Sequence, residues 1–298
     1  MLSLSECIPW MTVSLAESVA TVTLNLCTII VFIKNRNLRK RSMYLVINLA
    51  VIDMFIGGIA VYHLFYILGV PCNLWKSFAI EVGANIFIQH ILLLFFAASL
   101  PNIAIISLER VHATFFPFRH RVLKKWVHGL TIAVVWATSG LVTILYMLLL
   151  QSDKFYSVEY LYGSVISICL LIVCVSYTSI VIKVRCRAQP QHHGAASRER
   201  KLTMTLFIVT VVSLLLYLPH VIWSYVKFIS KFKIYWSLPP SVRFHLDYTF
   251  LILYYANSLV NPILYAIRLP VYRSALFALV CKRPLQQRRL DVVALRDM

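Results

Sequence analysis

The sequence predicts an all-α membrane protein, in which seven transmembrane helices form one bundle. Its 298 residues are 60% hydrophobic and 13% charged, with a mean hydropathy of +0.78, more apolar than a soluble domain of this size needs for its core. A helix needs about 20 apolar residues to cross the hydrocarbon of a bilayer. Seven runs of about that length occur, at residues 10–33, 44–69, 79–108, 127–150, 159–182, 202–226 and 246–267.

The positive charges predict the orientation of these spans. Twenty-three of the 29 Lys and Arg residues fall in alternate loops and the C-terminal tail. Because cytoplasmic loops retain positive charge, we expect a multi-pass plasma membrane protein with an extracellular N-terminus and a cytoplasmic C-terminus. The net charge of +18 does not indicate nucleic-acid binding, since the cations lie in short loops between spans. They are suited to contact with anionic membrane lipids.

One domain covers residues 1–281, and residues 282–298 form a short basic cytoplasmic tail. The last part of this domain is predicted to form a short amphipathic eighth helix on the inner leaflet, from Pro270 to Cys281. Cys281 is a candidate for palmitoylation, with a free thiol as the alternative. The absence of an internal sequence repeat disfavours a transporter.

Polar and proline residues inside the spans occur in a characteristic order. An intramembrane polar group is expensive unless it has a partner or a function, so its position is informative. The chain resembles the rhodopsin-like G-protein-coupled receptors in six motifs along nearly its whole length. They are Asn25, the Leu49–Asp53 run, Leu108-Glu109-Arg110-Val111, Trp136, Leu216-Tyr217-Leu218-Pro219 and Asn261-Pro262-Ile263-Leu264-Tyr265.

This resemblance implies a receptor that binds an extracellular ligand and activates a heterotrimeric G protein through outward movement of the sixth helix. Glu199 matches the acid that clamps the third-helix arginine in some inactive receptors, and a solvated charge is the alternative. Phe118 matches the side chain that docks into the G protein, and immersion in lipid is the alternative. The implied coupling and switch residues are Glu109, Arg110, Phe118, Tyr177, Glu199, Asn261, Pro262 and Tyr265.

The resemblance also implies a sodium ion that favours the inactive state. A hard cation prefers oxygen ligands, and five polar residues of the second, third and seventh spans supply them. A hydrated hydrogen-bond network without a fixed ion is the alternative, and we expect no other cofactor. The expected ligands are Asp53, Ser99, Asn257, Ser258 and Asn261.

The outer third of the bundle is expected to hold the ligand. Aminergic receptors need an aspartate near Leu92 and opsins need a lysine near Tyr255, and neither residue is present. An apolar, aromatic pocket favours a lipid or a small peptide, although packing between helices would also explain these side chains. The predicted pocket residues are Gln89, Leu92, Leu93, Phe96, Tyr217, His220, Trp223, Ser224, Tyr254 and Tyr255.

The chain departs from the family pattern in several places. The usual disulfide of the third helix cannot form, because neither that helix end nor the second outer loop has a cysteine. Cys7 and Cys72 are the only outer cysteines and could be bridged or free. The fifth span lacks its usual proline, and Tyr217 replaces the common tryptophan. These departures resemble the melanocortin, sphingolipid and cannabinoid receptors.

Two rival functions are disfavoured by the sequence. A channel or transporter would use Asp53 as an ion-pathway residue, but the motif order favours a receptor. An enzyme is not expected, because the chain contains neither a His-Glu-x-x-His metal motif nor a nucleophile elbow.

Overall fold

The computed structural model describes residues 4–35, 43–69, 72, 82–152, 155–186 and 195–281. Within these ranges the chain forms α-helices and no strand. The helices are α1 (Leu4–Lys34), α2 (Met43–Gly69), α3 (Val82–Phe115), α4 (Pro117–Val122), α5 (Lys125–Gln151), α6 (Phe155–Cys186), α7 (Ala195–Ile229), α8 (Lys233–Ser237), α9 (Pro240–Arg268) and α10 (Pro270–Val280).

Seven of these helices are long and apolar enough to cross a membrane, which confirms the predicted fold class. They are α1, α2, α3, α5, α6, α7 and α9. The end of the bundle that carries Arg110 is called the inner end here, and the opposite end is called the outer end. Of the short helices, α4 and α10 lie at the inner end, and α8 connects the outer ends of α7 and α9.

Several helices continue beyond the predicted apolar spans. Hydropathy marks where side chains leave the lipid, whereas a helix ends where its backbone hydrogen bonds end. Thus α3 continues to Phe115 and α7 begins at Ala195, within a charged segment. The predicted spans leave residues 151–158 between the fourth and fifth spans, but α5 ends at Gln151 and α6 begins at Phe155, so this connection is shorter than the spans imply.

A buried polar network joins the second, third and fourth spans. The Asn48 amide donates to Asn102 Oδ1 at 2.9 Å, and Trp136 Nε1 donates to Asn48 Oδ1 at 3.1 Å. The Asn102 amide donates to the Leu45 carbonyl at 3.1 Å. Because these bonds join α2, α3 and α5, they fix the relative rotation of three helices inside the bundle.

A disulfide joins Cys7, near the start of α1, to Cys72, which follows α2 in the chain. The sequence did not decide between a disulfide and two free thiols, and the structure contains the disulfide. Both cysteines are buried beside Phe244 and Tyr248 of α9. Three segments of the chain therefore meet at the outer end of the bundle.

We expect Gly57→Ala to lower the thermal unfolding midpoint, because α1 and α2 pack closely at this residue. A Cβ atom at position 57 would lie 2.9 Å from Thr21 Cγ2 and 3.2 Å from Val22 Cγ2. Forcing an extra carbon into such a contact costs about 1–3 kcal/mol. The measurement is thermal unfolding of the purified protein.

The matched control is Gly58→Ala, because a Cβ atom there would have no atom within 4 Å. Alanine is more favourable than glycine inside a helix by about 1 kcal/mol, so this variant should be at least as stable as the wild type. A Gly57→Ala protein as stable as the Gly58→Ala protein would contradict the close approach of α1 and α2.

Candidate functional site

The inner end of α3 carries a fully buried arginine. Arg110 is 0% exposed, and its Nη2 atom lies 3.0 Å from Glu109 Oε2. Its Nε and Nη1 atoms have no hydrogen-bond partner among the described residues. A guanidinium has five donors, so this ion pair leaves most of its hydrogen-bonding capacity unused.

Two predicted tyrosines approach this inner end from other helices. Tyr177 of α6 is buried, and its hydroxyl lies 3.0 Å from Thr210 Oγ1 of α7 rather than on Arg110. Tyr265, in the Asn261-Pro262 segment of α9, is also buried, and its ring packs edge-on against Tyr272. Neither tyrosine hydroxyl forms a hydrogen bond with the Arg110 guanidinium in the structure.

His120, which lies on α4, belongs to the site but was not predicted from the sequence. Its Nε2 atom is 3.3 Å from Glu109 Oε1, so one carboxylate contacts both Arg110 and the histidine. The same short helix carries Phe118, whose side chain is 82% exposed. Glu109 therefore joins the buried arginine to the helix that presents an exposed aromatic ring. A histidine beside a helix-end carboxylate is too common a pattern to identify from sequence alone.

Glu199 lies on α7 at the inner end, but its side chain is outside the described residues. The predicted clamp between Glu199 and Arg110 therefore stays a prediction.

Deeper in the bundle, the five residues predicted to hold sodium are all at most 1% exposed. They are Asp53, Ser99, Asn257, Ser258 and Asn261. The Asn261 amide donates to Asp53 Oδ2 at 2.7 Å. Asn25 donates to the Ser258 carbonyl at 3.0 Å and so ties α1 to this segment of α9. These contacts join α1, α2 and α9 halfway through the membrane.

The oxygen atoms of this cluster fit a hard monovalent cation. The Oδ1 atoms of Asp53, Asn257 and Asn261 are buried and accept no hydrogen bond within the described part of the chain. Buried acceptors without donors are costly, and a bound cation or ordered water would satisfy them. The potential ligand atoms are all oxygen and include one carboxylate, a set that hard cations prefer.

A cavity of about 650 Å³ opens between the outer halves of α3, α5, α6, α7 and α9. Its size suits a small ligand. Eight of the ten predicted pocket residues line it: Gln89, Leu92, Leu93, Phe96, His220, Ser224, Tyr254 and Tyr255. The prediction missed the walls formed by α5 and α6, which contribute Tyr146, Met147, Leu150, Tyr162, Gly163 and Ile166. Sequence motifs do not mark these two walls.

Two predicted pocket residues do not line the cavity. Trp223 Nε1 donates to Asp247 Oδ1 at 2.7 Å, and the ring borders a separate apolar groove between α7 and α9. Tyr217 lies one helical turn deeper than His220, and its hydroxyl donates to the Tyr254 hydroxyl at 3.4 Å. Both residues were predicted to line the pocket from their position in the outer part of the sixth span, which cannot show that a partner on α9 holds a side chain away from the cavity.

The floor of the cavity lies next to the deep polar cluster. Tyr254 packs against Phe96, Tyr217 and His220, with ring centroids 4.4, 4.5 and 4.7 Å apart. Tyr217 lies within electrostatic range of Asp53. Tyr217 and Tyr254 therefore form a buried, hydrogen-bonded layer below the cavity.

Helix α10 is attached to the bundle by Tyr272. This side chain is buried, and its hydroxyl lies 2.7 Å from Thr28 Oγ1 of α1. Cys281 follows the last turn of α10 and is exposed. Its palmitoylation stays a prediction.

Comparison with known proteins agrees with this arrangement. Residues 24–265 match the seven-transmembrane receptor model of the rhodopsin family. The human histamine H2 receptor is 27% identical over 274 residues, which cover 84% of this chain and 73% of the receptor. Human melanocortin receptor 5 is 25% identical over 294 residues, covering 91% and 84%. Mouse somatostatin receptor type 2 is 31% identical over 121 residues, covering 39% and 31%.

The match to melanocortin receptor 5 agrees with the narrower resemblance drawn from the sequence. The match to the histamine H2 receptor was not expected, because the chain has no aspartate near Leu92, where aminergic receptors need one. The family match extends over every motif from Asn25 to Tyr265. The protein is a multi-pass membrane protein, and the chain belongs to the rhodopsin family of seven-transmembrane, G-protein-coupled receptors.

Proposed function

We propose that this receptor binds a lipid or small peptide in the outer cavity and activates a heterotrimeric G protein through outward movement of the inner end of α7. The observation that carries the proposal is the series of buried polar side chains along the bundle: the Tyr217–Tyr254 contact below the cavity, the Asp53–Asn261 hydrogen bond, and Arg110 at the inner end. In this proposal the N-terminus is extracellular and the C-terminus is cytoplasmic, as the positive charges predict.

The lining of the cavity supports a largely uncharged ligand body. None of its described lining residues is Asp, Glu, Lys or Arg. His220 Nδ1 is buried and has no hydrogen-bond partner in the described chain, so it is available to a polar group of the ligand. The name of one relative indicates histamine, but Leu92 supplies no carboxylate for an amine. We therefore favour a lipid or small peptide with few polar groups.

The inner switch follows from the unused donors of Arg110. In the resting state the arginine is held by Glu109 and, in our proposal, by Glu199 at the inner end of α7. Loss of the second contact frees α7 to move outward, and Tyr177 and Tyr265 then receive the arginine. Phe118 inserts into the G protein at the opened face. Ligand and G protein thus bias one two-state element from opposite ends of the bundle.

We expect Glu199→Ala to raise basal signalling about two- to tenfold, because it removes the proposed contact that holds α7 inward. The measurement is GTPγS binding by G proteins in membranes that contain equal amounts of receptor. The control is Glu6→Ala, which lies at the outer end of the bundle and should leave basal signalling unchanged. Unchanged signalling in the Glu199→Ala receptor would remove the clamp from the mechanism.

We propose that sodium binds at Asp53 and favours the inactive state. Basal nucleotide exchange by the wild type should fall severalfold as sodium replaces N-methyl-D-glucamine at constant ionic strength. Asp53→Asn removes the negative charge that a cation needs and should abolish this response. Asp247→Asn is a matched control, because it neutralises an intramembrane aspartate near the outer end. If sodium still acts on the Asp53→Asn receptor, the ion binds elsewhere.

The proposed function is tested by reconstituting the full chain into lipid vesicles with a panel of purified G proteins. We expect faster GTPγS binding by at least one G protein in vesicles with receptor than in empty vesicles, and further acceleration by lipid or peptide fractions. Ion flux across the same vesicles tests the rival channel or transporter. Flux without nucleotide exchange by any G protein would overturn the proposed function.

A further inference from the structure

Glu17, in the middle of α1, is a partly buried acid that the proposed mechanism does not use. Both of its carboxylate oxygens are covered by protein and accept no hydrogen bond from the described residues. An isolated buried carboxylate costs several kcal/mol, so such a group calls for a partner. The sequence analysis missed it because no family motif includes this position.

Other carboxylates in the described spans have donors within the chain. Glu109 is paired with Arg110, and Asp53 accepts a hydrogen bond from Asn261. Asp247 accepts hydrogen bonds from Trp223, Lys227 and Tyr235. The one cation on α1 is Lys34, about 25 Å from Glu17 along the helix axis, so it cannot serve as a partner.

A second unpartnered oxygen lies beside Glu17. Ser14 is 1% exposed, and its Oγ atom has no hydrogen-bond partner within the described ranges. Residues three apart lie on one face of a helix, so the hydroxyl and the carboxylate are neighbours. Neither residue lines the outer cavity, which is bordered by α3, α5, α6, α7 and α9.

We propose that Ser14 and Glu17 form a binding site for a compact monovalent cation on one face of α1. Carboxylate and hydroxyl oxygens are hard acceptors that suit either a sodium ion or the ammonium group of a bound molecule. One negative charge matches one positive charge. The site is separate from the Asp53 cluster, because Glu17 lies about 12 Å outward of Asn25 along α1. The inference goes beyond the proposed function and does not require G protein activation.

The test uses the full chain in lipid nanodiscs and measures the thermal unfolding midpoint at constant ionic strength. All proteins carry Asp53→Asn, so that the deeper site does not contribute. Sodium chloride and n-butylammonium chloride replace N-methyl-D-glucamine chloride in separate arms, and butanol is the neutral control. We expect a saturable rise in the midpoint in at least one cation arm. Sodium alone would indicate an inorganic ion, and butylammonium alone would indicate a ligand ammonium.

Adding Glu17→Gln should abolish the rise, and in the N-methyl-D-glucamine buffer it should raise the midpoint because it removes an unpaired buried charge. Ser14→Ala gives a second test if the glutamine variant does not fold, and it should weaken the apparent affinity severalfold. The proposal is overturned if neither cation stabilises the parent, if Glu17→Gln leaves the rise intact, or if Ser14→Ala leaves both affinities unchanged.

Discussion

Arg110→Ala is expected to reduce G protein activation at least about tenfold while leaving surface expression largely intact. The guanidinium is buried and held only by Glu109 among the described ion pairs, so few stabilising contacts are lost. Glu109 keeps its contact with His120, which limits the cost of an unpaired carboxylate. Activation needs the arginine itself, because the proposed active state places it on tyrosines of α6 and α9. The measurement is GTPγS binding in the Glu199→Ala background, where basal signalling is raised.

The matched control is Arg273→Ala, which removes an exposed arginine from α10. It should retain most of the activity, since it changes the charge of the inner face without touching the buried pair. Normal coupling by the Arg110→Ala receptor at equal surface density would contradict the assigned switch.

Asn48→Ala is expected to cause the largest loss of stability among single substitutions away from the switch. It removes the partner of both Trp136 Nε1 and Asn102 Oδ1 in the buried network. Each buried polar group left without a partner costs about 1–3 kcal/mol, so the total for these two groups is about 2–6 kcal/mol. Thermal unfolding of the purified receptor measures this loss.

A double-mutant cycle with Trp136→Phe supplies the control. If the two side chains stabilise the bundle through their shared bond, Trp136→Phe should cost less in the Asn48→Ala protein than in the wild type. Equal costs in both backgrounds would show that the bond between Asn48 and Trp136 does not stabilise the receptor.

The seven-helix fold could be predicted because a lipid-spanning helix must be long and apolar, and both properties are visible in one chain. The deep cluster around Asp53 could also be predicted, because a buried polar side chain in a span is rare. The structure brings Asp53 and Asn261 into direct contact, as that argument expects.

Other features depend on neighbours that a linear sequence does not show. Trp223 was predicted to line the cavity from its position in the outer part of the sixth span, but its indole donates a hydrogen bond to Asp247. His120, Asn48 and Glu17 match no motif that was considered. The first two could have been found by asking where each polar group near a span finds its partner. The third is recognisable only once the absence of any donor nearby is known.

The proposed movement of α7 is tested most directly by measuring the distance between the inner ends of α3 and α7. Spin labels at Phe116→Cys and Met204→Cys, both exposed positions, would report it by double electron–electron resonance in a background without other reactive cysteines. We predict that a nucleotide-free G protein shifts the distribution to longer distances, and that Arg110→Ala abolishes this shift. An unchanged distribution in a receptor that still drives nucleotide exchange would contradict the proposed movement of α7.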